Sequence, residues 1–376
     1  MTEAAVTENG GAYTAVLFSS FGGPEKHEDV IPFLRNVTRG RGIPDERLEE
    51  VATHYRALGG KSPINEQNRA LIARLEAELK RRGIDLPVYW GNRNWEPYVA
   101  DTVRDMHNDG HTKVVGLVTS AYSSYSSCHQ YHEDFRKALD ETGLKGTLAI
   151  DKARVYYNHP GFLEPVVDGV KSALEAHRAN EHEPEAIEIL FSTHSIPTSM
   201  ADVSGPRHTW EKGSGGWYVA QHEAAIEYVM RRVREDLGAE QTPENYQLVY
   251  QSRSGAPHVP WLEPDINDVI DELEARSAVV VVPIGFVTDH VEVVWDLDTE
   301  AKETAENKGL AFVRVATSGS DDRFIGALAD LVQEAVTPGF ERRAVIDLPG
   351  ALENEKRTGD CGLECCLVRT PEGTFA

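Results

Sequence analysis

The feature that most constrains this chain is a set of short apolar runs that lack polar alternation, spaced by longer amphipathic segments. The runs cover residues 14–18, 88–90, 114–119, 187–192, 248–251, 279–284 and 312–315. A strand with one face in water alternates apolar and polar residues. A run without that alternation needs cover on both faces. Helical patterns fill the gaps, at residues 65–82, 164–177, 219–236, 265–276 and 323–335. Strand–helix alternation of this kind predicts an α/β protein built on parallel sheet with helices on both faces.

A chain of 376 residues is long enough for two domains, each with its own core. The polar stretch 177–185 precedes a fresh strand and marks the boundary between two α/β halves. The expected division is 12–180, 181–340 and a tail, 341–376. The tail is polar and rich in glycine and cysteine, so something other than an apolar core must order it. No short-period repeat is visible.

Lys and Arg number 38 against 61 Asp and Glu, a formal charge of −23. That balance argues against nucleic acid and against an anionic membrane surface, both of which call for basic residues. A cation, or a basic patch inside an acidic shell, fits better. The first twelve residues have no basic start and no apolar block, and no run reaches the ~18 residues that span a bilayer. The expectation is a soluble, cytoplasmic monomer with no stable membrane insertion. Its four cysteines are Cys128, Cys361, Cys365 and Cys366. In a reducing compartment they are not expected to form structural disulfides. Three of them fall within six residues, which is not a core pattern.

Ligands of doubly wound sheets bind beyond the carboxyl ends of the strands. Four distinctive segments stand at such ends: residues 19–24 (SSFGGP), 192–197 (STHSIP), 251–255 (QSRSG) and 283–286 (PIGF). His194 lies in the second, where Pro197 stops strand pairing. A neutral imidazole there can accept a proton or bind a metal. Glu292, Asp296 and Glu300 follow the last segment at i, i+4, i+8, which on a helix makes one slowly drifting acidic stripe. Like charges at that spacing oppose an α-helix, and wider turns, as in a π-bulge, would align them more closely. A file of carboxylates suits a hydrated divalent cation that is bound and passed on; the bland alternative is a solvated acidic face near a helix start. A site combining His194 and Glu292 would suit Fe(II) and release it readily.

At these residues the chain resembles the ferrochelatase family. Residues 191–197 (FSTHSIP), 250–255 with 261–264 (YQSRSG, WLEP) and 283–292 (PIGFVTDHVE) resemble three family signatures, and 21–24 (FGGP) and 59–63 (GGKSP) resemble two more. They stand in the family's order between about residues 14 and 340. The resemblance is closest to the actinobacterial branch, which carries an iron–sulfur cluster. It implies a class II chelatase fold: two Rossmann-like halves, each with a four-stranded parallel sheet flanked by helices, and the porphyrin between them. It implies a lyase that inserts Fe(II), its substrate, into a porphyrin in haem biosynthesis. His194 and Glu292 would bind the incoming iron or take the pyrrole protons, with Asp296 and Glu300 delivering iron or draining protons. Transient contact with neighbouring haem-pathway enzymes would follow.

The resemblance also implies porphyrin contacts at Ser62 and Tyr131, both able to donate hydrogen bonds to a carboxylate. Arg39 and Arg41 are further propionate-side candidates, with plain loop arginines as the alternative. Phe21 departs from firmicute relatives, where a tyrosine can ligate the product iron; here it reads as a ring-stacking wall. Cys128, Cys361, Cys365 and Cys366 would hold a [2Fe–2S] cluster, with a zinc site of four cysteine ligands as the rival. The stretch after the histidine motif, residues 201–216, is polar and glycine-rich rather than an apolar lip. That favours water-soluble coproporphyrin III over protoporphyrin IX. Two other readings stay open: a non-catalytic haem or metal carrier, and a cobalt chelatase for a corrin precursor.

Overall fold

The computed structural model describes residues 12–40, 42–206, 215–255, 258–348 and 365–367. Eight strands form two sheets of four: β1 (Ala15–Ser20), β2 (Val88–Asn92), β3 (Lys113–Val118) and β4 (Ala149–Lys152), then β5 (Ile187–His194), β6 (Tyr246–Gln251), β7 (Ala278–Val282) and β8 (Ala311–Arg314). The first sheet is ordered β2-β1-β3-β4 and the second β6-β5-β7-β8, with every pair parallel. The two halves therefore share one winding order.

Burial explains the unbroken apolar runs. Every residue of β1, β3 and β7 is buried, because helices cover both faces of each sheet. A fully buried Val or Leu contributes about 1.5–3 kcal/mol, so the central strands anchor each layer. The edge strands β4 and β8 are only partly covered and carry Asp151, Lys152 and Arg314. One continuous core joins Val16, Phe18 and Leu117 of the first sheet to Ile189, Phe191 and Val280 of the second.

The helices are α1 (Val30–Val37), α2 (Asp45–Ala57), α3 (Ile64–Arg81), α4 (Val99–Asn108), α5 (Gln130–Thr142), α6 (Pro160–Ala179), α7 (Thr198–Ala201), α8 (Gly216–Leu237), α9 (Ile266–Glu272), α10 (Val291–Val293), α11 (Lys302–Asn307) and α12 (Asp322–Val336). Two segments wind as π-helix: Tyr125–His129, leading into α5, and Val294–Ala301, between α10 and α11. Both follow the third strand of their half. No helix among the described residues is long and apolar enough to cross a membrane.

The carboxyl ends of the two sheets meet. Val291 packs with Val30, Phe33, Leu48, Ala52 and Tyr55 from α1 and α2. The His54 ring stacks on Trp295 at 4.3 Å, and the Tyr122 hydroxyl donates to the Ile284 carbonyl at 3.1 Å.

Candidate functional site

All four segments singled out in the sequence leave strands at this meeting point: residues 21–24 after β1, 195–197 after β5, 252–255 after β6 and 283–286 after β7. His194 is the last residue of β5 and pairs with Gln251 of β6. Its Nδ1 lies 2.5 Å from the Ser195 carbonyl. A carbonyl only accepts, so Nδ1 carries a hydrogen; in the neutral ring the lone pair then falls on Nε2. That nitrogen faces Glu292 Oε2 at 3.7 Å, with the side chains 35% and 49% exposed. Two acceptors thus confront each other where a substrate can reach them. A shared proton or a divalent cation satisfies both.

The peptide after His194 is held firmly. Ser195 N–H donates to the Gln251 carbonyl at 2.8 Å, and Ser195 Oγ to the Leu262 carbonyl at 2.8 Å. Gly285 is required beside it: a Cβ there would sit 2.1 Å from Thr193 Oγ1. This close approach gives the glycine of the PIGF segment a physical reason.

Glu292 lies in α10, and Asp296 and Glu300 in the π-helix that follows. The three carboxylates keep separate partners. Asp296 accepts from Ser252 Oγ and, at 3.2 Å, from Gln251 Nε2. Burial, with the charges of Glu292 and Glu300 adding, pushes the Asp296 carboxyl up to about 7, against the pull of the Ser252 and Gln251 hydrogen bonds. Glu300 accepts from Trp295 Nε1 at 2.9 Å. Among the described residues, no group of three or more His, Cys, Asp or Glu side chains is placed to hold a metal ion. The arrangement is therefore a pair, His194 with Glu292, backed by a protonatable Asp296.

Gln251, the first residue of the 251–255 segment, organises the site through contacts that the sequence does not specify. Its carbonyl takes Ser195 N–H, its Oε1 accepts from Ser192 Oγ at 2.6 Å, and its amide reaches Asp296. Nothing in the sequence marks Tyr55 either: burial, with Glu292 and Asp296 facing it, pushes its phenol well above the ordinary value.

The remaining sequence candidates spread around this pair. Phe21 is exposed and meets the Phe33 ring edge-on at 6.2 Å. Ser62 is buried beside Gly23. Tyr131 is buried, its hydroxyl 3.4 Å from Thr119 Oγ1 and its ring under the Arg93 guanidinium. Arg39 is exposed and donates to Asn36 Oδ1 at 2.7 Å. Arg41 and Cys361 lie outside the described residues.

Cys128 is the penultimate residue of the first π-helix and is buried. The neighbouring His129 has Nδ1 2.9 Å from the Cys365 carbonyl, which brings the tail to the Cys128 segment. Cys365 and Cys366 are buried with sulfurs 3.8 Å apart. Two thiolates on one tetrahedral metal at ~2.3 Å bonds lie ~3.8 Å apart, so adjacent cysteines can share a metal here.

Two parallel sheets meeting at their carboxyl ends, with an imidazole–carboxylate pair at the junction, define an α/β protein of the chelatase kind. The ferrochelatase family model matches residues 13–336, and the chain belongs to the ferrochelatase family. It is 57% identical to the coproporphyrin III ferrochelatase of Leifsonia xyli over 86% of this chain and 84% of that one. It is 52% identical to the coproporphyrin III ferrochelatase of Streptomyces coelicolor over 97% and 96%. Among solved structures, the sirohydrochlorin chelatase SirB of Bacillus subtilis subspecies spizizenii superposes with a TM-score of 0.45 at 11% identity, covering 86% of this chain and 94% of that one.

Proposed function

We propose that this chain inserts Fe(II) into coproporphyrin III, with the macrocycle held where the two sheets meet. The observation that carries the reading is His194 Nε2 facing Glu292 Oε2 at 3.7 Å, both side chains partly exposed at the carboxyl ends of the strands. Insertion requires two pyrrole N–H protons to leave as iron enters. His194 Nε2 takes a proton as general base, and its Nδ1–H stays on the Ser195 carbonyl throughout. Glu292 neutralises the imidazolium or holds the incoming iron. Asp296, with a value of about 7, exchanges protons with solvent near neutral pH.

Ser62, Tyr131, Phe21, Arg39 and Arg41 are the proposed porphyrin contacts. A substrate with four carboxylates is water-soluble, and the polar stretch at residues 201–216 suits it. The proposed setting is the cytoplasm, where a reducing environment preserves thiols. In this reading the chain divides into two α/β halves, 12–180 and 181–340, and a tail, 341–376.

Cys128, Cys361, Cys365 and Cys366 would hold a [2Fe–2S] cluster. The 3.8 Å sulfur separation, and the hydrogen bond that brings Cys365 to the residue beside Cys128, support a tetrahedral thiolate metal. When bound, such a cluster ties the polar tail to the body. Anaerobically purified protein should absorb in the visible range; colourless protein with stoichiometric zinc would replace the cluster by a zinc site.

The deciding experiment is anaerobic turnover of coproporphyrin III and protoporphyrin IX by wild type, His194→Ala and Glu292→Ala. Both variants should fold and lose nearly all activity. A variant with wild-type turnover would remove its residue from the chemistry. A preference for protoporphyrin in kcat/KM would overturn the substrate.

A further inference from the structure

A hydrogen-bonded circuit leads from the back of His194 to the cysteine tail. The buried Tyr218 hydroxyl donates to the His194 carbonyl at 2.8 Å and accepts from Thr193 Oγ1 at 2.8 Å. With Gln251 taking the next N–H, the 194–195 peptide is gripped on both edges. The Ser195 carbonyl on which the imidazole Nδ1–H rests stands one α-carbon beyond that gripped peptide, and the ring itself leaves from the α-carbon before it. The orientation of Nε2 therefore depends on Tyr218, which never reaches the substrate side.

Tyr218 is held in turn from its own backbone. Its N–H donates to Ser204 Oγ at 2.7 Å. The next residue, Gly205, exchanges two bonds with the tail: Gly205 N–H to Cys366 Sγ at 3.1 Å and Cys366 N–H to the Gly205 carbonyl at 3.0 Å. Gly205 has φ +79°, and a Cβ there would lie 2.6 Å from the Trp217 ring, so this turn admits only glycine. The path from thiol to imidazole thus runs Cys366, Gly205, Ser204, Tyr218, His194, with one covalent step between Gly205 and Ser204. Nothing in the insertion chemistry requires Tyr218 or that turn.

We propose that Tyr218 is a positioning residue for His194, and that docking of the Cys365–Cys366 segment on the Ser204–Gly205 turn sets that position. The proposal rests on the reading of His194 as the proton acceptor. A tail that leaves its seat frees the turn, loosens the start of α8 and lets the His194 peptide rotate. Occupancy of a site remote from the porphyrin then governs turnover without touching substrate affinity.

The test uses the full-length chain as wild type, Tyr218→Phe, Cys366→Ala, Cys366→Ser and the Tyr218→Phe/Cys366→Ala double variant. Two readouts are taken: anaerobic kcat with porphyrin Kd from fluorescence quenching, and the His194 imidazole resonances in iron-free protein, assigned by their loss in His194→Ala. Tyr218→Phe should lower kcat about tenfold, change porphyrin Kd less than about twofold and move the His194 resonances. Cys366→Ala should move the same resonances and lower kcat severalfold. In the double variant the cysteine change should add less than about 1.5-fold, because both act through one path. Serine can still accept the Gly205 N–H, so Cys366→Ser should keep the wild-type resonances in the iron-free protein; this separates the circuit from loss of a metal ligand. Unmoved resonances in Tyr218→Phe would overturn the positioning role, and kcat losses that multiply in the double variant would overturn the coupling. Full turnover by His194→Ala would instead strike the reading of His194 itself, while the resonances still report on the circuit.

Discussion

His222 offers a sharp test of how burial shapes this protein. The ring is fully buried on α8, stacked on Tyr122 at 3.6 Å with 12° between planes. Its Nδ1–H donates to the Tyr218 carbonyl at 2.7 Å, while Nε2 is buried with no partner among the described residues. Burial lowers its value from 6.5 to about 3, against the pull of the Tyr218 carbonyl. The folded state therefore refuses a proton that the unfolded chain accepts. Stability attributable to this group is whole above pH 6.5 and falls as the pH drops toward about 3, because the unfolded state binds more protons in that window. Each pH unit costs about 1.4 kcal/mol. At about pH 4.5, roughly two units below the ordinary value, the loss is about 2.7 kcal/mol. His222→Phe keeps the stack and His222→Gln keeps a donor for the Tyr218 carbonyl; neither titrates. Urea unfolding from about pH 7.5 to 4 should show wild type losing stability against both variants, by about 2–3 kcal/mol at pH 4.5. His132, whose value burial also lowers to about 3, titrates alike in all three proteins and cancels. If all three show the same pH slope, the buried neutral imidazole is refuted.

Three further outcomes follow from the same geometry. Asp296 has the opposite sign: its folded value of about 7 lies above the ordinary 3.8, so its contribution is whole at low pH and lost as pH rises through that window. In iron-free protein, Asp296→Asn should gain on wild type with rising pH, approaching about 4 kcal/mol by about pH 8, and equal stabilities at pH 4 and pH 8 would contradict this. Gly285→Ala should cost about 2 kcal/mol or more in urea unfolding, since its Cβ would meet Thr193 Oγ1 at 2.1 Å; an unchanged midpoint would show that the approach relaxes freely. Cys128→Ser should abolish visible absorption while sparing the secondary structure seen by circular dichroism, and retained colour would exclude this thiol as a ligand.

The central strands were legible because β7 is a continuous apolar run and β5 carries the apolar block 189–191 behind a single Glu188. So were the strand exits, because proline and glycine mark them. β4 was not: Ala-Ile-Asp-Lys at a sheet edge is too short and too polar to read as a strand. The pattern at 265–276 overshot α9, which ends at Glu272, because its amphipathic spacing continues into a turn where Ala275 takes a positive φ. Within the site, His194 and the carboxylates announced themselves by chemistry and spacing. Gln251 stands in a segment the sequence does mark, 251–255, but its bond to Asp296 is not marked, and neither are Tyr55 and Tyr218. Gln251 reaches Asp296 across 45 residues of chain and Tyr218 reaches His194 across 24. Tyr55 meets Glu292 and Asp296 from the other half of the molecule. No local pattern encodes such distances.

The π-wound segment Val294–Ala301 carries a consequence for how this lineage can change. Bonding from each residue to the fifth rather than the fourth leaves the segment with more residues than an α-helix of equal span would use. It is surplus length, kept against the tendency of the backbone to wind more tightly. Deleting one residue inside it would give a better-wound helix of nearly the same span, leaving Glu300 close to its present relation to Glu292 but turning Asp296 out of line with both. A three-nucleotide loss could thus strengthen the scaffold while scattering the acids it displays.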